Sequence, residues 1–205
     1  MSKVALNVFG KAIRETGHAL DRLGCTVMGV EYFKETFSRH RSVMPLFDLK
    51  PSVAEDAFVA PSATVVGDVS LASNASVWYG AVVRADRGSI SVGPMTNIQD
   101  RAVVSSSTTI GSRVTIGHGA LLQGCTVGDG ALIGQGAVVQ AGSSIGSGSI
   151  VAAGAVVLPE TVIPEGQMWV GNPAVFKKNV SEADMKPYQS VVDKYAKLAQ
   201  AYESS

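Results

Sequence analysis

An aliphatic residue recurs every six positions along most of the chain, and this repeat limits the possible fold more than any other feature. The repeat consists of three runs: Val53, Val59, Val65, Leu71, Val77, Val83; then Val92, Ile98, Val104, Ile110, Ile116, Leu122; then Val127, Ile133, Val139, Ile145, Val151, Val157, Ile163. Three extra residues separate the first two runs, and one residue is missing before the third. A fixed short period of this kind is typical of solenoids, in which each repeat buries its apolar residue only against its neighbours.

The spacing predicts an all-β protein, a left-handed parallel β-helix of hexapeptide repeats over residues 51–175. Each hexad supplies a short strand and a turn, and three hexads close a triangular coil of roughly 18 residues, so the repeat makes about six coils. Glycine, which often follows the aliphatic residue, provides the unusual backbone angles of tight turns. The low aromatic content, 6%, suits a narrow interior.

Both flanks of the repeat are predicted to be helical. At residues 181–203, Ser181 and Asp184 resemble a capping box, and apolar residues then recur at helical spacing, so we expect a helix packed along the prism. Pro187 suits the first turn of that helix. Residues 1–50 form an N-terminal arm with amphipathic segments at 11–23 and 31–41, which could lie on a membrane, on a partner, or on the chain's own solenoid.

Charge and cysteine usage exclude several classes of function. Basic and acidic residues both number 17, which gives no support to nucleic-acid binding. The arm alone carries eight Lys or Arg against five Asp or Glu, a net of +3, which suits an acidic lipid or protein surface. Cys25 and Cys125 make no disulfide framework, and no apolar run reaches the length of roughly 20 residues that a membrane span needs.

Three motifs resemble the γ-class carbonic anhydrases: VVRADRGSISVGPMTNIQD (82–100), VTIGHGALLQGC (114–125) and WVGNPA (169–174). The arm segments AIRETGHALDRLGC (12–25) and SRHRSVMPLFD (38–48) are similar to the γ-carbonic-anhydrase subunits of plant and algal mitochondrial complex I. This resemblance implies a trimer of parallel prisms. It also implies metal sites at the subunit interfaces, each built by histidines from two adjacent chains.

The resemblance places three metal-ligand positions at Ser105, His118 and Gln123, so one imidazole of three remains. Serine hydroxyl and glutamine amide are poor zinc donors, and catalytic zinc needs about three strong protein ligands. We therefore expect no cofactor in the chain's own site. In the family, the histidine at position 118 belongs to a site whose other ligands come from the neighbouring chain, so His118 could still serve a sister subunit's zinc.

Other polar positions of the family are retained. The resemblance implies that Arg84, Asp86 and Asp100 form charge pairs at or across the subunit interface, and that Gln99, beside Asn97, contacts a water in the site. A charged network can also fix subunit register without any chemistry, and we favour that interpretation.

The expected function is a non-catalytic, structural subunit of a heterotrimer with two other family chains. It would lie peripherally on the matrix side of the mitochondrial inner membrane, on the membrane arm of complex I, with the arm contacting the membrane or neighbouring subunits. The alternative is a working carbonic anhydrase in which His118 completes an inter-subunit zinc site. A hexapeptide acyltransferase with His118 as general base is a third hypothesis.

Overall fold

The computed structural model describes residues 3–29 and 40–203, in two compact units that divide between His40 and Arg41. The first unit holds helix α1 (Lys3–Val27). It confirms the helix expected over 11–23 and extends it at both ends. Most of the second predicted arm segment, 31–41, lies outside the described residues. Within the part of the chain that the structure describes, no helix combines the length and the apolar character needed to span a bilayer.

Over residues 41–203 the second unit contains twenty strands and one helix. In chain order they are β1 (Val43–Met44), β2 (Ser52–Val53), β3 (Phe58–Val59), β4 (Thr64–Leu71), β5 (Ser76–Val77), β6 (Val82–Val92), β7 (Asn97–Ile98), β8 (Val103–Ser105), β9 (Thr108–Ile110), β10 (Thr115–Ile116), β11 (Leu121–Gln123), β12 (Thr126–Val127), β13 (Leu132–Ile133), β14 (Val138–Val139), β15 (Ser144–Ile145), β16 (Ile150–Val151), β17 (Val156–Val157), β18 (Val162–Ile163), β19 (Gln167–Val170), β20 (Val175–Asn179) and α2 (Glu182–Glu203).

The strands stack into a parallel β-solenoid, which confirms the fold class; its left-handed sense remains a prediction. On one face β3, β5, β7, β10, β13, β16 and β19 lie side by side in parallel register. We call this face 1. Its strands mark about seven turns, where the repeat predicted six. The last turn was missed because Trp169, paired with Val151, stands where earlier turns have an aliphatic residue.

The predicted aliphatic residues form the core. From Val65 to Ile163 every one of them is buried, and equivalent residues pair directly across neighbouring strands, as in Val83, Val104 and Leu122. The solenoid unit also begins earlier than residue 51, because Val43 and Met44 pair with Val65 and Val66. The arm predicted over 1–50 therefore contributes its last ten residues to this unit.

The three extra residues between the first two runs form a bulge at one corner. Gly67 pairs with Ala85, but the next pair is Val69 with Ile90. One residue on β4 therefore faces four on β6. A bulge of this kind bends a strand and re-aims its side chains, and here it projects residues 86–89 from the prism surface, where all four are exposed.

The glycines of the repeat serve two purposes, of which the sequence suggested only one. Gly136 has φ +62°, and a Cβ there would meet nothing within 4 Å, so it is a turn glycine as expected. Gly134, which directly follows Ile133, has no positive φ. A Cβ on it would lie 2.3 Å from the backbone nitrogen of Ala153 in the next turn. Glycine after the aliphatic residue is therefore required by the close approach of successive coils.

Helix α2 packs along face 1, as predicted, against β3, β5, β7 and β10. The expected capping box is present: Ser181 N–H donates to the Asp184 carboxylate at 2.9 Å, and Asp184 N–H donates to Ser181 Oγ at 3.3 Å. Trp78 anchors the helix through edge-on contacts with Tyr195 and Tyr202, at centroid distances of 5.0 and 5.9 Å.

The prediction for Pro187 was wrong. The helix begins at Glu182, which places Pro187 inside it, past the first turn. Proline has no N–H to donate and so removes one bond of the helical ladder. The Ser190 hydroxyl donates to the Pro187 carbonyl at 2.6 Å, a bond that does not replace the one lost at the Pro187 nitrogen.

Candidate functional site

Tyr79, Asp100 and His118 occupy the same position in three successive turns, two residues after the buried aliphatic of face 1. The Gly119 N–H donates to the Asp100 carbonyl at 2.9 Å, which holds the two corners together. Nδ1 of His118 lies 3.0 Å from Oδ2 of Asp100, and the Tyr79 N–H donates to Oδ1 at 3.1 Å. The corner thus carries a carboxylate–imidazole pair.

This pair is accessible at the surface. The side chains of His118 and Asp100 are each 41% exposed. They line an open depression of about 510 Å³ together with Tyr79, Arg101 and Gly119. Among the residues that the structure describes, none hydrogen-bonds to Nε2 of His118. A histidine that presents one nitrogen and binds a carboxylate with the other has the arrangement that many metal-ligating histidines have.

Tyr195 of α2 faces the same corner. Burial raises the pKa of its hydroxyl, and the negative charge of Asp100 raises it further. Tyr195 therefore remains a neutral phenol, and it connects the corner electrostatically to the helix that covers face 1.

The two positions where the resemblance expects further ligands lie together, away from His118. Ser105 on β8 pairs in register with Gln123 on β11 and with Arg84 on β6. Gln123 is exposed and Ser105 is half-buried, with its hydroxyl donating to the Leu122 carbonyl at 3.4 Å. Gln123 lies five residues beyond His118, a separation of up to about 17 Å along extended chain.

The donors of one chain therefore do not fit a zinc site. The one imidazole of the three positions follows β10 on face 1, whereas the other two positions end β8 and β11 of a different sheet and offer a hydroxyl and an amide. Over residues 3–29 and 40–203, no group of three His, Cys, Asp or Glu side chains is placed to hold a metal ion. We derive no reaction through a metal in this chain alone.

Asn97 and Gln99 are buried, with 1% and 5% exposure. Gln99 Nε2 donates to Asn97 Oδ1 at 3.2 Å, and Asn97 Nδ2 donates to the Thr115 hydroxyl at 3.0 Å. Buried amides need such partners because an unpaired polar group in the interior is costly. In this chain the Gln99 amide is thus bound within the structure, and its contact with a site water stays a prediction.

Arg84, just before the corner bulge, forms a pair with Asp86, its first residue. Arg84 Nε donates to Oδ1 of Asp86 at 2.6 Å, and Nη2 approaches Oδ2 at 2.5 Å, a two-point contact that raises the pKa of the guanidinium. Both side chains are well exposed, at 60% and 42%. Asp100 binds His118 instead of this pair. The three charged residues predicted to act together at the interface therefore lie at two separate positions in one chain: Arg84 with Asp86, and Asp100 with His118. Their pairing across an interface remains a prediction.

Two contributors were missed from the sequence. Tyr195 lies on α2 and reaches the corner only through tertiary packing, so no local pattern marks it. Tyr79 could have been found, because it stands two residues after Val77 as Asp100 does after Ile98 and His118 after Ile116. The repeat register alone places these three in one column.

Comparison with known proteins agrees with the fold. Residues 124–159 match the bacterial transferase hexapeptide (six repeats) family. "Gamma carbonic anhydrase 1, mitochondrial" of Arabidopsis thaliana is 46% identical over 200 residues, 93% of this chain and 73% of that protein. "Gamma carbonic anhydrase 3, mitochondrial" of the same plant is 48% identical over 93% of this chain and 78% of that protein. This chain belongs to the gamma carbonic anhydrase family.

Structural similarity extends the relationship of this gamma carbonic anhydrase family member to bacteria. A hexapeptide transferase family protein from Anaplasma phagocytophilum is 38% identical, with a TM-score of 0.75 over 78% of this chain and 97% of that one. "Gamma carbonic anhydrase-like 1, mitochondrial" of Arabidopsis is 40% identical, but over only 36% of this chain. The relatives that match over most of this chain therefore include proteins named as carbonic anhydrases, whereas the match to the carbonic anhydrase-like protein is partial.

Proposed function

We propose that this chain is a non-catalytic, structural subunit of a heterotrimer of gamma carbonic anhydrase family chains, on the matrix side of the membrane arm of mitochondrial complex I. One observation carries the non-catalytic assignment: Ser105 and Gln123, side by side on β8 and β11, stand at two of the three ligand positions. Neither offers an imidazole. The mitochondrial names of the plant relatives support the location.

The first experiment measures zinc in the purified chain after expression in zinc-supplemented medium, together with carbon dioxide hydration by stopped flow. We expect no stoichiometric zinc and no hydration above the uncatalysed rate. Stoichiometric zinc together with hydration by the unsubstituted chain would refute the proposal.

A gain-of-metal variant makes the experiment sharper. Ser105→His with Gln123→His puts two imidazoles on paired strands about 4.8 Å apart, so the double variant should acquire zinc if chains assemble as the family does. The matched control carries the same two changes with His118→Ala and should not. Equal zinc in both would show that the interface geometry assumed for His118 is wrong.

A second candidate function is favoured by the geometry of His118. With Nδ1 on Asp100 and Nε2 presented at the surface, His118 can donate one ligand to a zinc site whose other histidines belong to a sister chain. The neighbouring chain would then hold the metal and supply the Lewis acid. The intact assembly with His118→Ala should lose zinc in that case, whereas His18→Ala, a change on α1, should not.

Complex I membership is tested separately from zinc. The tagged chain should co-migrate with NADH dehydrogenase activity in native gels of solubilised mitochondria. Migration only as a free trimer would contradict the membership and leave the non-catalytic assignment to the zinc experiment. Binding of an acyl donor such as acetyl-coenzyme A in a thermal-shift assay would instead favour the acyltransferase hypothesis.

A further inference from the structure

The first half of α2 is packed less closely on the solenoid than the second half. From Glu182 to Ser190 no residue of the helix is buried, whereas Val192 and Ala199 in the second half are. A cavity of about 260 Å³ lies between the helix and the corner of the prism, where β9 turns into β10 and β12 into β13. We call it the α2 cavity. Every residue that lines it belongs to the solenoid unit.

Three apolar side chains line the α2 cavity. Leu132 of β13 contributes from the solenoid, and Met185 and Val192 contribute from the helix. Leu132 and Val192 are only 9% and 4% exposed, so an apolar group placed against them is removed from water, which is favourable by about 25 cal/mol per Å² of buried apolar surface. This part of the cavity suits an aliphatic or thioether group.

Two opposite charges, Arg113 and Asp129, line the same cavity without pairing with each other in the described chain. Asp129 accepts the backbone N–H and the hydroxyl of Ser112 at 2.7 and 2.9 Å. These two bonds hold the pKa of the Asp129 carboxyl below its usual range, so the group is a carboxylate at neutral pH. Both bonds end on Oδ1, and over residues 3–29 and 40–203 no group bonds to Oδ2. Asp129 can therefore accept an ammonium group.

Arg113 retains donors for a second anion. A guanidinium has five N–H groups. One on Nη2 is used on Asp193 at 3.1 Å and one on Nη1 on the sulfur of Met95 at 3.4 Å. Three N–H groups remain, that of Nε among them. Arginine binds carboxylates through two such donors at once, so Arg113 can hold a ligand carboxylate beside Asp193.

The size of the α2 cavity limits the ligand further. Its volume equals that of roughly nine water molecules at about 30 Å³ each, and it is smaller than the ~300–1,000 Å³ of sites for drug-sized molecules. It therefore suits a molecule of about nine non-hydrogen atoms. Free leucine and free methionine have this size, and each carries a carboxylate, an ammonium group and one apolar side chain.

We propose that the α2 cavity binds a free α-amino acid with a medium-sized aliphatic or thioether side chain. Arg113 holds the carboxylate and Asp129 holds the ammonium group. The side chain lies against Leu132, Met185 and Val192. This inference does not depend on zinc, on subunit partners or on the catalytic state of the assembly, so its failure would leave the proposed function untouched.

The first test titrates the full, unsubstituted chain with L-leucine in a calorimeter, and then with two analogues that each lack one charge. In 4-methylpentanoate the ammonium group is missing, and in 3-methylbutylamine the carboxylate is missing. We expect a Kd of about 0.1–1 mM for leucine, as its size allows. Each analogue should bind about tenfold more weakly or worse, because a hydrogen bond to a charged group is lost. No saturable heat with leucine at about 10 mM, or equal affinity for either analogue, would overturn the proposal.

Substitutions then assign each charge of the ligand to its residue. Arg113→Gln should weaken leucine binding about tenfold and leave 3-methylbutylamine binding unchanged. It should fold normally, since it breaks only an exposed pair. Asp129→Asn, which can still accept the Ser112 N–H, should weaken leucine binding similarly and leave 4-methylpentanoate binding unchanged. The matched control Arg87→Gln, in the exposed corner bulge, should change neither.

Leucine binding that is insensitive to Arg113→Gln or to Asp129→Asn would overturn the assignment of the site. The analogue series uses the unsubstituted chain, so it remains decisive even where a variant unfolds. The unfolding midpoint of each variant, measured without ligand, identifies that case.

Discussion

Adding one methyl group to Gly134 should destabilise the solenoid far more than adding it to Gly136, two residues away. At Gly134 a Cβ would lie 2.3 Å from Ala153 N, 2.6 Å from Ala152 C and 2.7 Å from Ala153 Cα. Ordinary contact begins at 3.4 Å, so the next coil would have to move by about 1 Å against the packing of the solenoid core. The hydrogen bonds from Gly134 N to Val151 O and from Gly154 N to Gln135 O, both 2.8 Å, resist that movement.

The cost at Gly134 combines overpacking of about 1–3 kcal/mol with about 1 kcal/mol for a weakened hydrogen bond. At Gly136 the added methyl meets open space, and the cost is the left-handed backbone, about 1–2 kcal/mol, partly offset by a less flexible unfolded chain. We therefore expect a loss of about 2–4 kcal/mol for Gly134→Ala and about 1 kcal/mol for Gly136→Ala.

Thermal denaturation followed by circular dichroism measures the difference. In a chain of this size 1 kcal/mol corresponds to about 2–4 °C, so the two unfolding midpoints should differ by about 2–12 °C. Because the chemical change is the same in both variants, each controls for the other. An equal loss, or a larger loss for Gly136→Ala, would refute the argument that backbone approach between coils explains the glycine after the aliphatic.

Three further outcomes follow from described contacts. Lys178 and Ser181 hold the pKa of Asp184 below its ordinary 3.8. The contribution of Asp184 to the free energy of unfolding is therefore complete above pH 3.8 and is lost as the pH falls through the lowered pKa. Asp184→Asn should therefore lower the unfolding midpoint at neutral pH and have no effect in acid. Because the pKa of Cys125 is about 12, a thiol reagent at mildly alkaline pH should modify one cysteine in the folded chain and two in denaturant. Trp78→Ala should cost about 3–5 kcal/mol in chemical denaturation, while Arg113→Ala, which breaks an exposed pair with Asp193, should cost less than about 1 kcal/mol.

The core could be predicted from the sequence because a six-residue period leaves little choice. The six-residue repeat includes Ile98, Ile116 and Ile133, and these three residues are neighbours on one face of the prism. The capping box at Ser181 was also predictable, since its hydrogen bonds lie within four residues. The seventh turn was not, because Trp169 departs from the aliphatic pattern although its backbone continues the stack.

The residues of the candidate site could be predicted from the sequence, but their positions relative to one another could not. The resemblance identified His118, Ser105 and Gln123, and the structure separates the first from the other two. The pairing of His118 with Asp100 depends on the column in which both stand. That column follows from the register of the repeat. The contribution of Tyr195 depends on where α2 packs, and this packing involves contacts across about half the chain, for which the sequence has no local signal.

The position of α2 has a consequence for the order in which the protein is completed. Tyr202, in the last turn of α2, packs against Phe58 and Trp78, and Gln200 donates to Asn74, 126 residues earlier. Synthesis proceeds from the N-terminus and domains generally form as they emerge, so the first coils are made long before their cover. Until α2 leaves the ribosome, the aromatic surface of the earliest coils remains open to solvent and to chaperones. Ribosome-bound nascent chains that stop before residue 181 should therefore expose Trp78 in a form that the finished protein conceals.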